Sequence, residues 1–98
     1  MITHPGEILR AEFLTPLRMS ANALALALHI PYSLLSGILA EKRAVSVDTA
    51  MRLGRYFGTA TLFWMNLQVA HDLSKAEADT GSQIKEDVRP REPAQKPP

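Results

Sequence analysis

The 98-residue sequence contains no cysteine, which excludes a disulfide framework and any thiolate chemistry. No apolar run comes near the roughly 20 residues needed to cross a bilayer. The start, Met1-Ile2-Thr3-His4-Pro5-Gly6-Glu7, has neither a basic head nor an apolar signal core, so a cytoplasmic location without membrane contact is expected. The residues of catalysis are also missing as arrangements. His4, His29 and His71 are scattered without metal-ligand spacing, and Glu7 and Glu12 lie five apart, off a shared helical face. There is no Gly-rich phosphate loop and no nucleophile motif. No catalytic residue, metal or cofactor is therefore expected.

What is present is an ordinary soluble composition, 46% hydrophobic and 21% charged, in a chain long enough for one core. A first helix is expected from about Pro5 to Thr15, with Pro5 at its first position and Glu7 in its first turn. Ile8, Leu9, Phe13 and Leu17 give it a buried stripe, and Thr15-Pro16 ends it. Residues 20–43 read as two short helices joined by a tight turn. Ser20 caps the first of these, which buries Leu24, Ala25 and Leu28; the second opens near Pro31 and buries Leu35, Ile38 and Leu39. Ile30 is tucked under both. His29 holds the turn position that glycine often occupies, and histidine is among the residues that tolerate left-handed geometry. Such a pair is a helix-turn-helix, whose second helix lies in a DNA groove.

Ser46 is expected to cap a fourth helix with Ala50, Leu53 and Tyr56 or Phe57 inward, ended by Gly58. Thr59 or Thr61 then caps a fifth, carrying Phe63, Trp64, Leu67, Ala70 and Leu73 and fading near Ala78. Residues 80–98 hold four of the seven prolines and seven charged residues, a composition too poor in apolar surface to offset its ordering entropy. The chain thus divides into an all-α, compact five-helix domain over residues 1–79 and a flexible tail over 80–98.

The net charge is only +1. Residues 1–58 carry six Lys/Arg against four Asp/Glu, and residues 59–98 carry five against six. Phosphate contacts supply much of a DNA binder's affinity, so a single copy binds weakly and a homodimer is expected. Helix-turn-helix docking places Lys42 and Arg43, after the second helix, where a phosphate passes, and Ser20 on the other side. Leu26 and Leu34 fall on faces the amphipathic pattern leaves wet, which hints at a partner surface. Phe63, Trp64 and Leu67 are candidates for the core or a dimer seam; Asn66 and Gln68 could hydrogen-bond across a two-fold axis. Asp48 and Arg52 form an i, i+4 pair.

Five fragments, in their order and spacing, carry a resemblance. His4-Pro5-Gly6-Glu7, Phe13-Leu14-x-Pro16-Leu17, Lys42-Arg43, Asp48-Thr49-Ala50-x-Arg52-Leu53 and Phe63-Trp64-x-Asn66-Leu67-Gln68 resemble HigA-type antitoxins of the lambda-repressor-like helix-turn-helix group. The resemblance covers residues 2 to about 75. It implies a homodimer, binding to double-stranded operator DNA in its own promoter, and tight binding to a HigB-like toxin, a ribosome-dependent mRNA endonuclease. Carried over position by position, the surface offered to base edges is Tyr32, Ser33, Ser36 and Gly37. The sequence departs from the group at Leu34 and Gly37, where basic or polar residues are common, and at His29 and Glu41, where glycine is usual. The base-facing surface has no Arg, Asn or Gln able to make bidentate base contacts. Two further readings follow: a protein-interaction module on the same fold with little sequence-specific DNA binding, or a stand-alone repressor.

Overall fold

The structure is a computed structural model and describes residues 3–91. Among these residues it is all-helical, with no strand. Helix α1 occupies residues 5–17; α2 is Ala21–Leu28, α3 Tyr32–Leu39, α4 Val47–Phe57 and α5 Thr61–Asp87. None of them is long and apolar enough to cross a membrane.

Helix α1 begins as expected, with Pro5 in its first turn; its N-cap is His4, whose Nδ1 accepts from the Gly6 N–H at 2.9 Å. It does not end at Thr15-Pro16. An α turn (Pro5–Ile8) passes into a π-helical stretch (Leu9–Leu14) and closes with Thr15–Leu17, ended by Arg18 in the left-handed region at φ 52°. In a regular α-helix the Pro16 ring would meet the carbonyl four residues back. The wider turn just before it removes that clash, with the Thr15 N–H bonded to the Arg10 carbonyl, five residues earlier. The change of period also moves the buried stripe. Leu9 and Leu14, five apart, enter the core, Ile8 and Phe13 pack partly against it, and Leu17 is left 60% exposed.

The helix-turn-helix forms as the sequence indicates. Ser20 Oγ accepts from the Ala23 N–H at 3.0 Å, and His29 ends α2 in the left-handed region at φ 56°. Leu24, Ala25, Leu28, Leu35 and Ile38 are buried, with Ile30 and Leu39 half-buried. Leu34, expected to be wet, is half-buried and packs against the core, whereas Leu26 stays 70% exposed. Helix α1 crosses the end of α3 closely enough that a Cβ on Gly6 would collide with the Ile38 carbonyl. Only glycine permits that approach.

Helix α4 is capped by Ser46 Oγ on the Thr49 N–H and ended by Gly58 at φ 74°, and it buries Ala50 and Leu53. Helix α5 packs against α4 and α1. Its N-cap is Ala60, which offers no side-chain hydrogen bond, rather than either threonine. Thr59 instead accepts from Trp64 Nε1 at 2.8 Å. Trp64 is fully buried within one chain, so its indole is core and the seam role is excluded for it. Phe63 is 40% exposed, Asn66 is exposed and Leu67 is half-buried.

The long helix also corrects the end of the domain. It does not fade near Ala78 but continues to Asp87, so residues 80–87 are helical where the composition indicated a flexible tail. Extending an existing helix adds one hydrogen bond per residue fixed, whereas starting one is costly. Local side-chain bonds assist: Thr80 Oγ1 donates to the Ala76 carbonyl and Gln83 Nε2 to Asp87 Oδ1, each at 2.9 Å. Residues 92–98 of the expected tail lie outside the described residues.

Candidate nucleic-acid interface

The outward edge of α3 begins at Pro31, which supplies extended geometry but no side-chain cap. Tyr32 is 53% exposed and Ser33 is exposed, so neither points into the interior. Ser36, one turn on, is half-buried. Gly37 is covered. A Cβ there would lie 2.6 Å from Arg43 Cδ, so this position seats the Arg43 stem and what reaches outward beside it is Arg43. Ser20 lies at the start of α2, exposed, with its oxygen already engaged in the cap.

After α3 the chain turns sharply. Glu41 takes the left-handed geometry, at φ 63°, that glycine commonly supplies. The Gly37 carbonyl accepts from the N–H groups of Lys42 at 2.9 Å and Arg43 at 3.2 Å. Both side chains of this basic pair are exposed. Three residues distant in sequence then fix the turn. Arg10 of α1 donates through Nη1 to the Leu39 carbonyl and pairs through Nη2 with Glu41 at 3.4 Å. Gln68 of α5, buried, accepts from the Val45 N–H through Oε1 at 2.8 Å and donates through Nε2 to Asp72 at 2.9 Å. The proposed role of Gln68 at a two-fold axis is thereby replaced: its amide is consumed inside the chain.

His4 is the third tether. Its buried imidazole meets the His71 ring edge-on, with centroids 4.8 Å apart. Burial, which strips water from the charged form, pushes its pKa below the usual 6.5, and the neighbouring His71 acts in the same direction. The Glu41 carboxylate, a hydrogen bond with the Arg43 backbone and Asp72 oppose the shift. His4 is thus held neutral, as an N-cap acceptor requires.

On the opposite side of α2, Arg52 of α4 braces the first helix of the pair. Its Nη1 donates to the Leu28 carbonyl at 2.9 Å and the His29 carbonyl at 3.3 Å, while Nε meets Asp48 at 2.9 Å. The sequence showed the Asp48–Arg52 spacing but not the carbonyls it serves. The tethering roles of Arg10, Gln68 and His4 are likewise absent from the sequence reading, because their partners lie across the fold.

The arrangement is two helices locked at a fixed angle, an exposed tyrosine and serines at the head of the second, and a basic turn tied down at several points. It matches binding to a polyanion by position rather than by a dense charge patch. Among the described residues no cluster of His, Asp and Glu is disposed to hold a metal ion.

No protein-family profile matches the chain. It is 52% identical over 79 residues to virulence-associated protein I of Dichelobacter nodosus, covering 81% of this chain and 73% of that protein. Among solved structures it resembles Pseudomonas aeruginosa antitoxin HigA with the higBA promoter, at 47% identity and a TM-score of 0.89, covering 92% of this chain and 98% of that one. It is equally similar in shape to antitoxin GraA in complex with its operator, with 42% identity, a TM-score of 0.89, and coverage of 94% and 93%.

Proposed function

We propose, since the chain belongs to the HigA-type antitoxins of the lambda-repressor-like helix-turn-helix group, that it neutralises a cognate toxin and represses its own promoter as a homodimer. The observation that carries the DNA role is the tethered Lys42–Arg43 turn at one end of α3, with Arg43 against Gly37, and the exposed Tyr32–Ser33 edge at the other. A turn fixed from α1 and α5 holds its cations where α3 directs them, so little ordering entropy is lost on meeting a phosphate. Relatives of the same fold are solved with a promoter and with an operator, which supports the same use of these elements here. Ser20 and Ser36 complete the contact surface, with Arg43 projecting over Gly37. The toxin, a HigB-like mRNA endonuclease, follows from family membership alone. The chain works in the cytoplasm, as a binding protein without a catalytic step or cofactor.

Gel-shift titration on the chain's own upstream region tests this. Lys42→Ala and Arg43→Ala should each weaken retention on every duplex and lower the slope of log K against log salt by about one. Unchanged titrations would remove both residues from the phosphates. One observation favours the interaction-module reading. With Arg43 lying against a half-buried Gly37, the edge of α3 holds a tyrosine and serines but no Asn or Gln for bidentate base contacts. Equal retention of the promoter and a scrambled duplex would favour that reading.

A further inference from the structure

The start of α1 is joined to the basic turn through one side chain. His4 is 4% exposed, and its Nδ1 accepts from the Gly6 N–H. An imidazole that accepts through Nδ1 carries its proton on Nε2. The ring also hydrogen-bonds with the Arg43 backbone. The two residues after His4 are pinned as well: Pro5 is fully buried, and Gly6 lies against the Ile38 carbonyl near the end of α3. The first turn of α1, the end of α3 and the turn that carries Lys42 and Arg43 therefore meet around a single ring.

That ring is buried but within reach of solvent. It forms part of the wall of an open cleft of about 400 Å³ that Glu7, Glu41, His71 and Lys75 also line. Among the described residues, titratable and charged groups face it from three sides: Glu7 from α1, Glu41 (paired with Arg10) and Arg43 from the turn, and His71, Asp72 and Lys75 from α5. Helix α3 adds none, since its one titratable residue, Tyr32, stands at the opposite end. Glu41 and Asp72 favour a proton on His4, while burial and His71 oppose it. A second proton must sit on Nδ1, where it meets the Gly6 N–H donor to donor. The cap is then lost, and the new charge competes with Arg10 for the Glu41 carboxylate. Two ties on the turn weaken together, while Gln68 still holds the Val45 backbone.

We propose that His4 is an acid-sensitive latch on the DNA-contacting turn: a proton taken up by its ring frees Lys42 and Arg43 from α1 and weakens promoter binding. The latch is a regulation of the surface described above and rests on its DNA-binding reading. Direction identifies the cause. Protonation adds positive charge, which by itself strengthens attraction to a polyanion. In a chain that stays folded, binding that falls as the charge rises reports a turn that has lost its fixed geometry. A loosened turn must be ordered again on meeting a phosphate, at an entropic cost that the fixed one avoids.

Gel-shift titration of the full chain on its own promoter, from neutral to mildly acid pH and at a temperature where circular dichroism shows full folding throughout, tests the latch. Wild-type affinity should fall by about threefold to tenfold, within the factor of about ten per pH unit that one proton permits. His4→Asn, which retains a cap acceptor and does not titrate, should hold or gain affinity over the same range. His71→Phe, which keeps a ring edge against His4, should retain the fall and move it to higher pH, since His71 opposes the proton. Wild-type affinity that rises with acid in step with His4→Asn overturns the latch, as does a fall that His71→Phe removes and His4→Asn keeps. The DNA-free chain supplies a second readout. In amide NMR spectra Gly6, Lys42 and Arg43 should shift together as His4 takes up its proton, and the three should not do so in His4→Asn. A Gly6 response without one at Lys42 or Arg43 overturns the latch and leaves the DNA reading intact. Coupled shifts in a chain that never retains its promoter uphold the link from His4 to the turn and remove the repressor.

Discussion

Protonating His4 would place a donor against the Gly6 N–H and a charge beside His71, inside the packing of α1 against α5. Its folded pKa lies below the usual 6.5, first through burial and then through His71, so the unfolded chain takes up the proton at higher pH than the folded one. The contribution to stability is therefore complete above about pH 6.5 and is lost as pH falls from there through the folded value. Urea unfolding between pH 7 and 5 should show that loss, and His4→Asn, which keeps a cap acceptor but does not titrate, should flatten it. A pH dependence identical in both proteins would assign the loss to other groups. The same residue explains a limit of sequence reading. His4-Pro5 is visible as a helix start, but His71 lies far along the chain and nothing local announces the contact.

Among the elements, α2 depends on a neighbour for its C-terminal end. Its last carbonyls are met by Arg52 from α4, held in turn by Asp48. Arg52→Ala should lower stability by about 1–2 kcal/mol by leaving partly buried carbonyls without that donor. The urea midpoint should fall with an unchanged slope. Asp48→Ala should cost less, because its carboxylate is 70% exposed and an exposed ion pair contributes little. Equal losses in the two variants would transfer the effect from the carbonyls to the ion pair. Helix α1 shows a different kind of tertiary decision. The sequence marked Pro16 as a terminator, but a π-helical stretch carries the helix past it and exchanges Leu17 for Leu14 in the core. The regular period that assigns faces from sequence does not apply across such a turn.

At the scale of the molecule, α5 gives the chain its elongated shape, 55 by 27 by 22 Å. In the homodimer proposed above, each body reads one half-site. Separating the two copies should therefore act on DNA binding without touching a phosphate contact. A half-site duplex should roughly halve the slope of log K against log salt relative to the full promoter, as the number of phosphates met falls with the number of bodies. Equal slopes on the two duplexes would show that a single body carries all the phosphate contacts.

The sequence by itself determined the helix-turn-helix, because its signals are local: the Ser20 and Ser46 caps, the Ala- and Leu-rich run of α2, and a histidine able to stand in left-handed geometry. It also determined the exposed Tyr32 edge and the basic turn, since the apolar spacing of α3 leaves those positions outward. Tertiary structure decided what depends on residues distant along the chain. Trp64 is core and not seam because Thr59 and the surrounding helices enclose it, and Gln68 is spent on the Val45 backbone. Gly37 is a seat for Arg43, and α5 runs on to Asp87. Composition and periodicity describe what a segment would bury on its own, whereas burial is settled by the elements that the fold brings against it.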